Sequence, residues 1–117
     1  MIYIIALISI LLGSIAQYFL KIGISSISMD NKKIIMILIE VITNLPFIGG
    51  ILCYGLSMIF WLHVLSKLEL SKAYPLVSLG YIFTLLLGYF LLHENINNYK
   101  ILGVIFIIIG VILIAKS

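Results

Sequence analysis

The apolar stretch from residue 71 to residue 92 carries polar and small residues at helical spacing. Tyr74, Ser78, Tyr81 and Gly88 follow one another at steps of four, three and seven, which places them on one face of a helix. The remaining faces hold Leu, Ile, Val and Phe. A hydroxyl-bearing face on an otherwise apolar helix indicates a polar path inside a helix bundle.

A second polar face lies on the first apolar stretch. Ser14, Gln17 and Lys21 are spaced three and four residues apart. A glutamine amide inside an apolar helix is costly without partners, so we expect it to face protein or water. Either Gln17 makes an interhelical hydrogen bond, or it forms a wall of a substrate path with Lys21 at the mouth, where an ammonium attracts phosphate.

The stretch from residue 46 to residue 65 repeats the pattern with Tyr54, Ser57 and Trp61, preceded at the same spacing by Gly50. Two readings stay open. This face either lines a cavity together with the other two, or it provides small-residue packing and an aromatic residue at the membrane interface.

Acidic residues are few, and all lie outside the middle of the apolar stretches: Asp30, Glu40, Glu69 and Glu94. Glu94 follows His93 at the end of the third stretch and is the candidate nearest to the path; the alternative is a solvated loop pair. No metal-ligand spacing, nucleophile–base pair or phosphate-binding loop is present, so the sequence predicts neither an enzyme nor a cofactor.

The amino-acid composition indicates which kind of fold holds these residues. Of 117 residues, 64% are hydrophobic and only 9% are charged, which excludes a water-soluble globular domain. The long apolar runs do not alternate as the strands of a membrane barrel do. We therefore expect an all-α protein, one integral membrane domain over 1–117, with four spans at about 2–20, 46–65, 71–92 and 98–115. The dispersed charges, +3 net, do not favour nucleic-acid binding.

Two details of the spans can be tested. Residues 33–43 are too few to cross a bilayer, so they form either a short interfacial helix or the first turns of a long second helix bent at Pro46. In the third span, Ser71 is the expected N-cap and Pro75 is expected in the first turn.

The fourth span carries Gly103 and Gly110, seven residues apart on one face. Small residues let a second helix approach closely, and this span is otherwise uniformly apolar. We expect these glycines to form a dimer contact.

The seven lysines divide almost evenly between the two sides of a four-span protein: Lys67, Lys72 and Lys116 against Lys21, Lys32, Lys33 and Lys100. The positive-inside rule therefore gives little preference. Either the chain inserts in both orientations and forms an antiparallel dimer, or a partner or weak flanking effects fix one topology.

Five segments together resemble a known family: GSIAQYFLK (13–21), WLHVL (61–65), AYPLVSL (73–79), HE (93–94) and GVIFIIIG (103–110). They are similar to the small four-helix, EamA-type members of the drug/metabolite transporter superfamily. Within that group the chain looks most like the subunits of the aminoarabinose-phosphoundecaprenol flippase. The residues that match are Gln17, Lys21, Trp61, Tyr74, Pro75, Ser78, His93, Glu94 and Gly103.

The resemblance implies a subunit of a dimeric flippase in the bacterial cytoplasmic membrane that moves a polyprenyl-phosphate-linked sugar. The small multidrug-resistance exporters are more distantly similar, but Gly13 and Val77 stand where they carry a glutamate and a tryptophan. Two alternatives stay open: proton-coupled export of a small cation with Glu94 as the coupling group, and a non-transporting subunit that stabilises a paralogue.

Overall fold

A computed structural model describes residues 1–28 and 30–117, and this part of the chain contains helices and no strand. The elements in order are α1 (Ile2–Ser25), α2 (Ile34–Thr43), α3 (Leu45–Lys67), α4 (Leu70–Leu76), a 3₁₀ turn (Val77–Leu79), α5 (Gly80–Leu91) and α6 (Asn98–Lys116). The all-α prediction is confirmed. That the whole chain is one membrane domain stays a prediction.

Four helical segments are long and apolar enough to cross a membrane: Ile2–Ser25, Leu45–Lys67, Leu70–Leu91 and Asn98–Lys116. The predicted spans agree to within two residues at each boundary except one, because α1 continues to Ser25. At about 1.5 Å per residue, the extra turn carries the helix beyond the hydrocarbon core. Lys21 therefore projects from a helix rather than from a loop.

The chain breaks between α2 and α3, so the short helix is separate from the second span. Asn44 is extended, with ψ 118°, and its Oδ1 accepts a hydrogen bond from the Phe47 N–H at 3.0 Å. Pro46 lies in the first turn of α3, where its missing N–H costs little. Before α2, the Lys32 ammonium forms an ion pair with the Glu40 carboxylate at 2.7 Å.

The predicted N-cap of the third span is wrong, because Glu69 and not Ser71 occupies the cap position. The helix begins at Leu70, and the Glu69 carbonyl accepts from the N–H groups of Lys72 and Ala73 at 3.0 and 2.8 Å. Ser71 therefore lies inside the first turn and caps nothing. The extended backbone of Glu69 allows its carbonyl to begin the helix one residue earlier.

Pro75 lies inside α4 and not in its first turn. Since proline has no N–H to donate, the regular hydrogen-bond ladder is interrupted there, and the 3₁₀ turn Val77–Leu79 follows. The Ser78 hydroxyl donates to the Pro75 carbonyl at 2.6 Å. The third span is thus two α-helices joined by a tighter turn.

All four spans meet in one small core. It contains Ala6, Ile10, Val64, Ala73, Leu76 and Val111. These residues belong to the beginning of α1, the end of α3, α4 and the second half of α6, which lie at one end of the molecule because the spans alternate in direction. Near this core, α6 packs on α4 and the 3₁₀ turn. Toward the other end, α1 and α3 stay in close contact. A groove remains between α1, α3 and the third span.

Candidate functional site

Two adjoining cavities follow the exposed side of α1. One, of about 500 Å³, lies between α1, α3 and the third span; the other, of about 420 Å³, lies between the end of α1 and the end of α5. Ser14, Gln17 and Thr84 line both of them. We call the two cavities together the polar groove.

The structure brings together most of the residues that the sequence placed on a substrate path. Those lining the polar groove are Ser14, Gln17, Lys21, Tyr54, Trp61, Tyr74, Ser78 and Glu94. They come from α1, from α3, from α4 with the 3₁₀ turn, and, for Glu94, from the segment that follows α5. The groove has an aromatic and hydroxyl-rich end near Trp61 and Tyr74, and a charged end near Lys21 and Glu94.

Ser57 is not among the residues that line the groove. It is only 7% exposed and is locked to α1: its hydroxyl donates to the Ser9 carbonyl at 2.7 Å, while the Ser9 hydroxyl donates to the Ser57 carbonyl at 2.8 Å. Within the polar face of α3, Ser57 lies on the side that is turned toward α1. The structure thus gives it an interhelical packing role, and the expected place on the path is not supported.

The polar side chains of α1 differ in how many hydrogen bonds they already make within the described part of the protein. The buried Ser14 hydroxyl donates to the Ile10 carbonyl at 2.9 Å and lies 3.4 Å from the Gly80 carbonyl. Gln17 is exposed, and within the described residues its amide makes no hydrogen bond. Its donors and its acceptor are therefore available to a ligand in the groove.

Among the groove residues that were not singled out from the sequence, two carry hydroxyls at the charged end. Tyr18 and Thr84 line the charged end, and the Thr84 hydroxyl donates to the Tyr81 carbonyl at 3.0 Å. Helical spacing contained both signals: Tyr18 lies three residues before Lys21, and Thr84 lies three residues after Tyr81.

Glu94 reaches the groove because the chain folds back after α5. His93 has a left-handed backbone, with φ 58°, and the Glu94 N–H donates to the Gly88 carbonyl at 2.9 Å. The Glu94 side chain lies directly over Gly88, where a Cβ would collide with the carboxylate. The absence of a side chain at Gly88 therefore makes room for a carboxylate at the mouth.

The charged end holds both signs of charge without an ion pair. Lys21 and Glu94 line the same cavity. Within residues 1–28 and 30–117, however, the two do not form a salt bridge with each other, and the salt bridge that is present joins Lys32 and Glu40. The same residues contain no cluster able to hold a metal ion. The groove offers one ammonium, one carboxylate, an amide and several hydroxyls, a set suited to binding a polar, charged molecule non-covalently.

The fold and this groove define a class: a multi-pass helical membrane protein with a polar groove between its helices. The chain belongs to the EamA-like transporter family, which it matches over residues 2–116. The family expected from the sequence is thereby confirmed.

Curated relatives agree with this membership. The chain is 40% identical to the probable 4-amino-4-deoxy-L-arabinose-phosphoundecaprenol flippase subunit ArnF of Photorhabdus laumondii, over 97% of this chain and 96% of the relative. It is 38% identical to the ArnF subunit of Proteus mirabilis, with 98% and 92% covered. It is 36% identical to the ArnE subunit of Klebsiella pneumoniae, with 58% and 61% covered. No solved structure matches the chain.

Proposed function

We propose that this protein is a flippase subunit that moves a polyprenyl-phosphate-linked sugar, or a similar amphiphile, across the bacterial cytoplasmic membrane. The observation that carries the proposal is the polar groove, which has apolar helices around it and, at one end, a lysine that forms no ion pair within the described residues. The names of the ArnF and ArnE relatives support it, since they describe flippase subunits for such a lipid.

The physical task of a flippase is to carry a polar head group through hydrocarbon. Moving hydroxyls and a phosphate out of water costs several kcal/mol or more unless hydrogen-bond partners replace the water. Gln17, Tyr54 and Tyr74 supply such partners along the groove, and Lys21 attracts the phosphate at the mouth. The prenyl chain stays in the lipid beside the helices, because burial in protein would gain it nothing.

A partner subunit belongs to the proposal. The face of α6 around Gly103 and Gly110 has open space beside both glycines, as a helix-packing surface requires. The relatives include two differently named subunits, ArnE and ArnF, which favours a heterodimer with a paralogue. A homodimer, parallel or antiparallel, is the other arrangement that the balanced lysines allow.

Transport should depend on the amide and the ammonium of α1. We expect Gln17→Leu and Lys21→Met each to lower flipping of a polyprenyl-phosphate sugar in proteoliposomes by about tenfold or more, because each removes a hydrogen bond to a polar or charged group. The subunit is reconstituted both alone and with an ArnE-like partner. The matched control is Lys67→Met. Lys67 is the last residue of α3 and does not line the groove, so this variant should flip the lipid normally. Unchanged flipping in both groove variants would remove the proposal.

A second candidate function rests on Glu94, the one carboxylate that lines the charged end of the groove. In proton-coupled export of a small organic cation, this group would exchange a proton for the substrate. An imposed pH gradient would then drive uptake, and Glu94→Gln would stop it. A third alternative, a non-transporting partner, predicts no flipping alone but a stable complex with an active paralogue.

A further inference from the structure

The carboxylate at the mouth of the groove needs an explanation that a phosphate site alone does not give. Glu94 and Lys21 line one cavity of about 420 Å³. A carboxylate that lines the same cavity as the lysine would repel a bound phosphate, and so weaken the attraction of the lysine. If the head group also carries a positive charge, the carboxylate attracts that charge, and the attraction offsets the repulsion of the phosphate.

The position of the carboxylate is built into the backbone. The left-handed His93 and the 2.9 Å hydrogen bond from the Glu94 N–H to the Gly88 carbonyl return the chain over the end of α5. Gly88 is buried, and any Cβ there would displace the Glu94 carboxylate. Glu94 itself is exposed and, in the part of the chain that the structure describes, forms no salt bridge. A ligand can therefore reach it.

We propose that Glu94 is the specificity-determining residue of the groove: its carboxylate selects head groups that carry a protonated amine, while Lys21 binds the phosphate of the same molecule. The inference rests on the proposed function and assigns the recognition of the amine to one residue. Gly88 is its positioning residue, since it leaves the space that the carboxylate occupies.

Binding can be measured directly, because the only tryptophan of the chain, Trp61, lines the groove. Its fluorescence is titrated in detergent with two short-chain prenyl-phosphate sugars. One sugar carries a free amine, and the other carries the same amine blocked as a neutral formamide. A hydrogen bond to a charged group predicts that the purified protein, alone or with an ArnE-like partner, binds the amine probe about tenfold to a hundredfold more tightly.

The variants separate the roles of the two charges. Glu94→Gln should bring the ratio of the two affinities close to one while the neutral probe still binds, which also shows that the variant is folded. Gly88→Ala should lower the ratio in the same way. Lys21→Met should weaken both probes by a similar factor. Gly55→Ala is the matched control, since a Cβ at Gly55 meets nothing within 4 Å.

Three results would overturn the inference: equal affinity of the natural protein for both probes, no binding of either, or an unchanged ratio in Glu94→Gln. An equal loss of both probes in Glu94→Gln is one form of the third result, because the ratio is then unchanged and the carboxylate serves the site in general. Flipping is measured separately in proteoliposomes. Selective binding without flipping would support the role of Glu94 while removing the proposed transport.

Discussion

At the scale of single residues, the groove contains two kinds of polar side chain. Some already make hydrogen bonds within the described part of the protein, and others do not. Ser14 donates to the Ile10 carbonyl of α1, and Ser78 donates to the Pro75 carbonyl of α4, so both shape the wall more than they bind. Gln17, Lys21 and Glu94 are exposed and line the groove. The free amide and the two charges are therefore the groups that can exchange bonds with a passing head group.

Ser57 gives a prediction at this scale. Replacing it by alanine removes its hydroxyl from the Ser9 carbonyl, and the buried pair loses one of its two reciprocal hydrogen bonds. We expect Ser57→Ala to lower the free energy of unfolding by about 1 kcal/mol, measured by denaturation in mixed micelles, and to leave flipping nearly normal. A large loss of flipping at unchanged stability would instead place Ser57 on the substrate path.

At the scale of elements, α1 is the helix on which the site is built. One of its sides packs along α3, and another faces the polar groove. The packing side depends on close approach: a Cβ at Gly50 of α3 would lie 2.9 Å from Leu20 Cδ2 and 3.0 Å from the Ala16 carbonyl oxygen. The third span is different, because Pro75 and the 3₁₀ turn divide it into two helices beside the groove.

The contact between α1 and α3 can be tested with neighbouring glycines. Gly50→Val should destabilise the protein by about 1–3 kcal/mol, since the added carbons have no space unless the helices move apart. Gly49→Val introduces the same residue at a position where a Cβ meets nothing within 4 Å, so its cost should be limited to helix propensity. Thermal unfolding in detergent compares the two. Equal destabilisation would show that the helices do not depend on close contact at Gly50.

At the scale of the whole molecule, three of the spans bound the groove, and α6 contributes mainly to the small core at one end of the molecule. Its outer face exposes large apolar side chains, Phe106 at 70% among them, on the helix that also carries Gly103 and Gly110. Lipid satisfies such a face, and so does a second subunit. The open space beside both glycines is what favours the second subunit.

A dimer through α6 predicts a specific loss. Gly103→Leu combined with Gly110→Leu should weaken association by about tenfold or more in a cross-linking or single-molecule photobleaching titration, because added bulk separates the helix backbones. Gly55→Leu, on the outer side of α3 where a Cβ also has open space, is the control. If the double variant associates as tightly as the control, the dimer contact lies elsewhere.

Local patterns were sufficient for the class of protein and most of the groove. The length of the apolar runs determines how many helices can cross a bilayer, and the period of 3.6 residues determines which side chains share a face. For these reasons the four spans, and the shared faces of Gln17 with Lys21 and of Tyr74 with Ser78, could be predicted from the sequence. The same helical spacing also indicates that Tyr18 and Thr84 lie near these faces.

Only the tertiary structure decided which faces meet and where the chain turns. The Ser9–Ser57 pair depends on how α1 and α3 are rotated against each other, which spacing within one helix does not contain. The break at Asn44 depended on a side-chain cap competing with a continuous helix. Glu94 reaches the groove through a left-handed turn and the space above Gly88. Periodicity describes one helix at a time, whereas a binding site is made by contacts between helices that are distant in the chain.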